Sequence, residues 1–162
     1  MRRLFITLSI LVSISMSAIA QDGLQINEVF EGKVVPKESM KESLVKGDKL
    51  VATYKLRLLH TAKFAADAAQ REKVETLFKE DMKERISDDD SNMEMENRNG
   101  HLYYAIVQLK DKFVGRGEGY RVYLGRFICY QCKEKPVGYD ITLAYMEGSA
   151  TLSDLRESFK KK

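Results

Sequence analysis

The sequence predicts an α+β domain, a mostly antiparallel sheet of four to five strands with one long and one short C-terminal helix packed on one face. Three observations carry that expectation. Tyr139, Ile141, Leu143 and Tyr145 alternate with Asp140 and Thr142, the period-two pattern of a half-buried strand. Val74, Leu77, Phe78 and Met82 repeat at helical spacing, while Glu72, Glu75, Lys79, Glu80 and Lys83 cover the other side. Turn signals at Gly47-Asp48 and Asn97-Arg98-Asn99-Gly100 separate the periodic runs.

With 162 residues, 44% of them hydrophobic and 31% charged, the chain has the length of one domain and enough apolar material for a core, which excludes intrinsic disorder. Its first twenty residues read as a signal peptide. Met1-Arg2-Arg3 is a basic start, residues 4–16 form an apolar run broken only by hydroxyl side chains, and Ala18 and Ala20 supply the small residues of a cleavage site. The run is too short to span a bilayer as a helix. Cleavage after Ala20 is therefore expected, leaving a single domain over 21–162 with no transmembrane segment. No cysteine stands at the cleavage point, so the expected product is not a lipoprotein and resides in the periplasm or outside the cell. Lysine and arginine number 27 against 24 acids; without Arg2 and Arg3 the balance falls from +3 to +1, which argues against nucleic acid as a partner.

Residues 24–30, apolar at 24, 26, 29 and 30, fit a short helix or an edge strand equally. Residues 34–41 carry Pro36 and several charges and read as loop. Leu44-Val45 is a short strand, and residues 50–59 form a longer one with Tyr54, Leu56 and Leu58 on one side and Lys55 and Arg57 on the other. One amphipathic helix of about five turns is expected from 64 to near 85, where Glu75 and Lys79 make an i, i+4 pair. Residues 88–92 form a polar loop. It begins like a calcium loop, but Met93 stands where glycine is required and Asn99 where glutamate is. Residues 101–109, apolar on both faces, read as a central strand, followed by strands over 120–129 and 139–145. Thr151 and Asp154 have the spacing of a capping box for a final helix whose buried stripe is Leu152, Leu155 and Phe159, with Lys160, Lys161 and Lys162 at its end.

The block Leu143-Ala144-Tyr145-Met146-Glu147-Gly148-Ser149-Ala150-Thr151-Leu152, with Leu155 and Phe159-Lys160, is distinctive. Leu102-Tyr103-Tyr104, Leu44-Val45-Lys46-Gly47 with Tyr54-Lys55-Leu56, and Phe30-Glu31-Gly32-Lys33 accompany it. Together they resemble a family of small exported Bacteroidetes proteins known only as a domain of unknown function. The resemblance spans most of the chain after residue 20 and implies a one-domain exported protein. Its motifs are structural; it carries over no active residue, and the cysteine pair is not part of it.

Cys129-Tyr130-Gln131-Cys132 is the sharpest chemical feature. A C-x-x-C pair can close a turn as a disulfide, remain as free thiols, act as a redox dithiol or supply half a zinc site. An oxidising compartment favours the disulfide, provided the pair sits in a tight turn and not along a strand. A redox role is the alternative, although Lys133-Glu134-Lys135-Pro136 is a poor helix start to lower a thiol pKa. Zinc would need His60 and His101, which fall on separate strands. Gly115-Arg116-Gly117-Glu118-Gly119 has the glycines of a phosphate loop but opens onto a strand, so it reads as a connection.

Seven of the eight tyrosines lie between 103 and 145. Tyr103, Tyr104, Tyr120 and Tyr123, with Arg116 and Arg121, form a candidate binding surface for a protein or glycan, against the plainer reading of tyrosines filling a small β-core. Glu147 and His101 are acid–base candidates without a patterned nucleophile. Charge is uneven: residues 67–96 hold eleven acids against five bases, and residues 110–135 hold seven bases against three acids. No motif implies a catalytic residue, cofactor or metal. The chain therefore reads as a non-enzymatic interaction or accessory module, with a thiol-disulfide protein using Cys129 and Cys132 as the alternative.

Overall fold

The structure, a computed structural model, describes residues 23–160. The expected signal peptide and the expected cleavage after Ala20 lie outside the described residues. The elements run α1 (Asn27–Phe30), β1 (Met40–Lys46), α2 (Asp48–Tyr54), β2 (Leu56–Ala66), α3 (Ala68–Asp81), β3 (Met93–Arg98), β4 (His101–Arg116), β5 (Arg121–Glu134), β6 (Tyr139–Gly148) and α4 (Leu152–Lys160). Single 3-10 turns lie at Lys37–Ser39, Met82–Glu84 and Asp90–Asn92. All six strands join one antiparallel sheet in the order β1-β2-β6-β5-β4-β3. After β2, α3 carries the chain across one face to the far edge; a meander then returns through β6, which lies beside β2.

Both faces are covered, because apolar residues occupy both parities of the central strands. Leu58, Phe64, Val107, Ile128, Tyr130, Leu143 and Tyr145 pack with Val29, Phe30, Val74, Leu77 and Phe78 into one cluster under α1 and α3. Ile106, Phe127, Ala144 and Met146, of the opposite parity, pack with Leu50, Leu152 and Leu155 into a second cluster under α2 and α4. The expected architecture is corrected on this point. Among the described residues there are six strands instead of four or five, and four helices, mostly short, instead of two on a single face.

Each departure has an identifiable physical cause. Residues 50–59, expected as one strand, break at Lys55, whose left-handed conformation (φ 56°) ends α2. The Lys55 carbonyl accepts the Ser149 and Ala150 amides at 2.9 and 3.1 Å. Gly148 permits that approach, since a Cβ there would lie 2.3 Å from the same oxygen. The long helix begins at Ala68 and not at 64, because Asp67 and Gln70 form a complete capping box (2.8 and 3.0 Å) and β2 continues to Ala66, paired with Tyr139. It ends at Asp81, whose buried carboxylate accepts the Gln25 and Ile26 amides at 2.6 and 2.8 Å and so ties down α1. Unnoticed in the sequence, β3 is an edge strand whose Met95 is 43% exposed, so no buried face marks it.

Other expectations match. Asn99 (φ 52°) and Gly100 (φ 79°) turn β3 into β4 with both central residues at positive φ, as a two-residue hairpin requires. Thr151 and Asp154 exchange hydrogen bonds at the start of α4, and Leu152 and Leu155 are buried beneath it. The Phe159 and Lys160 side chains, with Lys161 and Lys162, lie outside what is described. Beyond β3, residues 110–116 of β4 run beside β5 alone, with register shifts between Leu109 and Lys112 and between Phe113 and Gly115. Among the described residues no helix is long and apolar enough to cross a membrane.

Phe78 is fully buried and its ring lies 5.5 Å from that of Tyr130, while Leu77 is 4% exposed. Replacing either by alanine is expected to cost about 2–5 kcal/mol, read as a lowered urea midpoint at unchanged slope.

Candidate binding cleft

The strand β5 runs unbroken through Cys129 and Cys132 to Glu134, and this decides the cysteine chemistry. Residues three apart on a strand point to opposite faces and stand ~10 Å apart, beyond the roughly 7 Å Cα limit of a disulfide. Cys132 joins the α3-side cluster, Cys129 packs against the other, and both are free. The expected disulfide is absent, and a shared metal or a redox dithiol meets the same geometric bar. Burial also pushes the Cys129 thiol up to about 12 and raises that of Cys132, the reverse of what activates a thiolate.

The six tyrosine and arginine candidates do not form one surface. Tyr103 lines a cleft at the N-terminal end of α3, whereas Tyr104 faces the second cluster. Tyr120, Tyr123 and Arg121 lie on the exposed β4–β5 hairpin, where the Tyr123 ring meets that of Phe113 at 5.7 Å. Arg116 lines a different cleft at that end of the sheet. Thirteen residues of strand separate Tyr103 from Arg116, ~40 Å.

The cleft at α3 has a volume of about 630 Å³ and is walled by Arg71, Arg98, His101, Tyr103, Cys132 and Tyr139 among others. Its polar groups are largely spent on one another. Arg98 binds Glu96 at 2.8 Å and sits 3.4 Å from the Tyr103 ring centroid; Arg71 lies 4.3 Å from that of Tyr139 and reaches His101 Nε2 at 3.1 Å. His101 Nδ1 meets Glu75 Oε2 at 3.2 Å, and Glu75 Oε1 accepts from Lys79 Nζ and the Leu102 amide. With Glu75 accepting at Nδ1 and Arg71 donating at Nε2, the geometry fits one neutral tautomer. This network fastens α3 to the start of β4.

The second cleft, about 500 Å³, opens at the other end of the α3-side face and is lined by no residue of α3. Lys46 from the end of β1, Arg57 from the start of β2, and Lys112 and Arg116 from the long end of β4 converge on it, with Glu147 of β6 at its wall. Leu58, Val114, Val122 and Leu124 supply apolar lining. Glu147 is buried, accepting from Lys112 Nζ at 3.0 Å and from the Tyr145 hydroxyl at 2.7 Å. Burial, then the Glu147 hydrogen bond and charge, raise the Tyr145 pKa, so this phenol stays protonated and donates. Among the described residues Lys46, Arg57 and Arg116 form no ion pair. Three unpaired cations around a recess whose single carboxylate already holds Lys112 make an electropositive site.

Arg116 and Glu147 connect this cleft to the candidates drawn from sequence; Lys46, Arg57 and Lys112 were missed. A signal existed in the excess of bases over residues 110–135. Another was the two-residue spacing of Tyr145 and Glu147, which places both on one face once β6 is extended to Gly148. Glu147 sits within that strand, not in a loop after it. His101 lies at the far end of the sheet, about eight residues or ~26 Å along the strands from Glu147, so the two do not share a cleft.

A family of unknown function, DUF6108, matches residues 13–159. The chain belongs to this family. No curated protein and no solved structure matches it. Membership in DUF6108 assigns no chemistry, so any reading of the site rests on its geometry.

Two outcomes are expected. Burial foremost lowers the His60 pKa below 6.5, against the raising influence of Glu42 at 2.6 Å. Burial alone would raise the Glu75 carboxyl, but hydrogen bonds from Lys79, Leu102 and His101 bring it below 4.5. Both groups bind fewer protons folded than unfolded, so their stabilisation is complete above those ordinary values and lost as pH falls. Urea midpoints should drop between about pH 7.5 and pH 5.5, and His60→Gln should flatten that limb. Dithiothreitol should leave the midpoint unchanged, and both thiols should react with a disulfide reagent once the chain is unfolded.

Proposed function

We propose that the chain is an exported, non-enzymatic recognition module that holds an acidic group of a protein or glycan partner in the basic cleft. The observation that carries this is the convergence of Lys46, Arg57 and Arg116, unpaired among the described residues, on one recess of about 500 Å³. Side chains from three strands keep those charges close together although they repel, an arrangement that an anion relieves. The apolar floor lowers the local dielectric and strengthens the attraction. Export is supported by the basic start, apolar run and Ala18/Ala20 pair of the first twenty residues, and by the resemblance to exported Bacteroidetes proteins. The periplasm or the extracellular space is then the working compartment, with 21–162 as the mature domain. A thiol-disulfide role has no support, since Cys129 and Cys132 face opposite sides of β5.

Titrating the purified protein with polygalacturonate and with poly-glutamate tests the reading. At least one polyanion should bind, with an affinity that falls as salt rises and drops by about tenfold or more in the Arg57→Glu, Arg116→Glu double variant. Failure of both to bind at low salt contradicts the proposal.

A further inference from the structure

Glu147 distinguishes the basic cleft from a plain anion trap. Its side chain is 9% exposed, and its Oε1 takes both the Lys112 ammonium at 3.0 Å and the Tyr145 hydroxyl at 2.7 Å. Among the described residues Oε2 accepts no hydrogen bond. A carboxylate on the wall of such a cleft repels a bare anion, and a ligand that covers Oε2 without offering it a donor strips that oxygen of water at a cost. A ligand meets both conditions when it bears an acid for Arg57, Arg116 and Lys46 and, next to that acid, a hydrogen-bond donor for Oε2. The donor is a hydroxyl and not an ammonium. Lys112 already stands on this carboxylate, so a second cation there would meet like charge at close range, whereas a neutral hydroxyl does not.

We infer that the cleft binds a sugar acid, its carboxylate among Arg57, Arg116 and Lys46 and a ring hydroxyl donating to Glu147 Oε2. The assignment rests on the anion-binding reading and names its ligand class. The volume of about 500 Å³ lies within the range of small-ligand clefts and admits a short oligosaccharide. Leu58, Val122 and Leu124 give the apolar ring faces a surface to lie on. Specificity follows from polar satisfaction, because an acid lacking hydroxyls leaves Oε2 unpaired when it displaces water.

Calorimetric titration of the purified protein with digalacturonate, maltose and the dipeptide Asp-Glu tests it. Digalacturonate should bind about tenfold or more tighter than Asp-Glu, the equivalent of one hydrogen bond to a charged group, and maltose weakest of the three. In Glu147→Gln an amide donor replaces Oε2, so digalacturonate should weaken and Asp-Glu strengthen. Near-UV circular dichroism establishes that the variant is folded, and the wild-type comparison stands without it. Equal affinity for Asp-Glu and digalacturonate overturns the sugar-acid assignment while anion binding survives. Digalacturonate binding that a folded Glu147→Gln variant leaves unchanged overturns it as well. Silence from both acids overturns it together with the reading on which it rests.

Discussion

Period-two alternation in a sheet covered on both faces is the constraint from which the rest of this molecule follows. In β4, β5 and β6 residues of each parity belong to a packed cluster, so no side chain there can change sides without a bulge or a slip that misplaces all its neighbours. The pairing of β5 with both β4 and β6 holds its register along most of its length. Cys129 and Cys132 are separated by that parity. The same rule puts Tyr145 and Glu147 together.

Much of the fold was legible because several elements announce themselves locally. Val74, Leu77 and Phe78 marked α3, Asn99-Gly100 marked the β3–β4 turn, and Thr151 with Asp154 marked the start of α4. What escaped was decided by distant partners. Residues 50–59 suit a strand by alternation, yet 48–54 form α2 because Lys55 turns left-handed and its carbonyl binds the amides of Ser149 and Ala150. The alanines at 65 and 66 suit the helix expected from 64, yet they extend β2 because β6 pairs with them. The site was less legible still. Lys46, Arg57 and Lys112 are far apart in the chain and belong to no motif; only the adjacency of β1, β2, β6, β5 and β4 gathers them.

The two clefts illustrate how similar residues serve different ends. At α3, His101 links Arg71 to Glu75 and so fastens a helix to a strand, while Arg98 is paired with Glu96. At the other end the cations outnumber the carboxylates, and the long β4 holds Lys112 and Arg116 where no helix covers them. Surplus charge at a concave surface, more than its mere presence, is what separates the basic cleft proposed as a binding site from the structural network at α3.

The paired register shifts in the far half of β4 have a further consequence. From 110 to 116 this strand has a neighbour on one side only, so its outward amides and carbonyls form a template on which a foreign strand could grow. Each irregularity twists the ribbon and interrupts the regular spacing that such growth requires. Lys110, Asp111 and Lys112, crowded at the first of them, add charges that a flat intermolecular sheet would have to stack. The hairpin can thus carry exposed Phe113, Tyr120 and Tyr123 into water while resisting polymerisation.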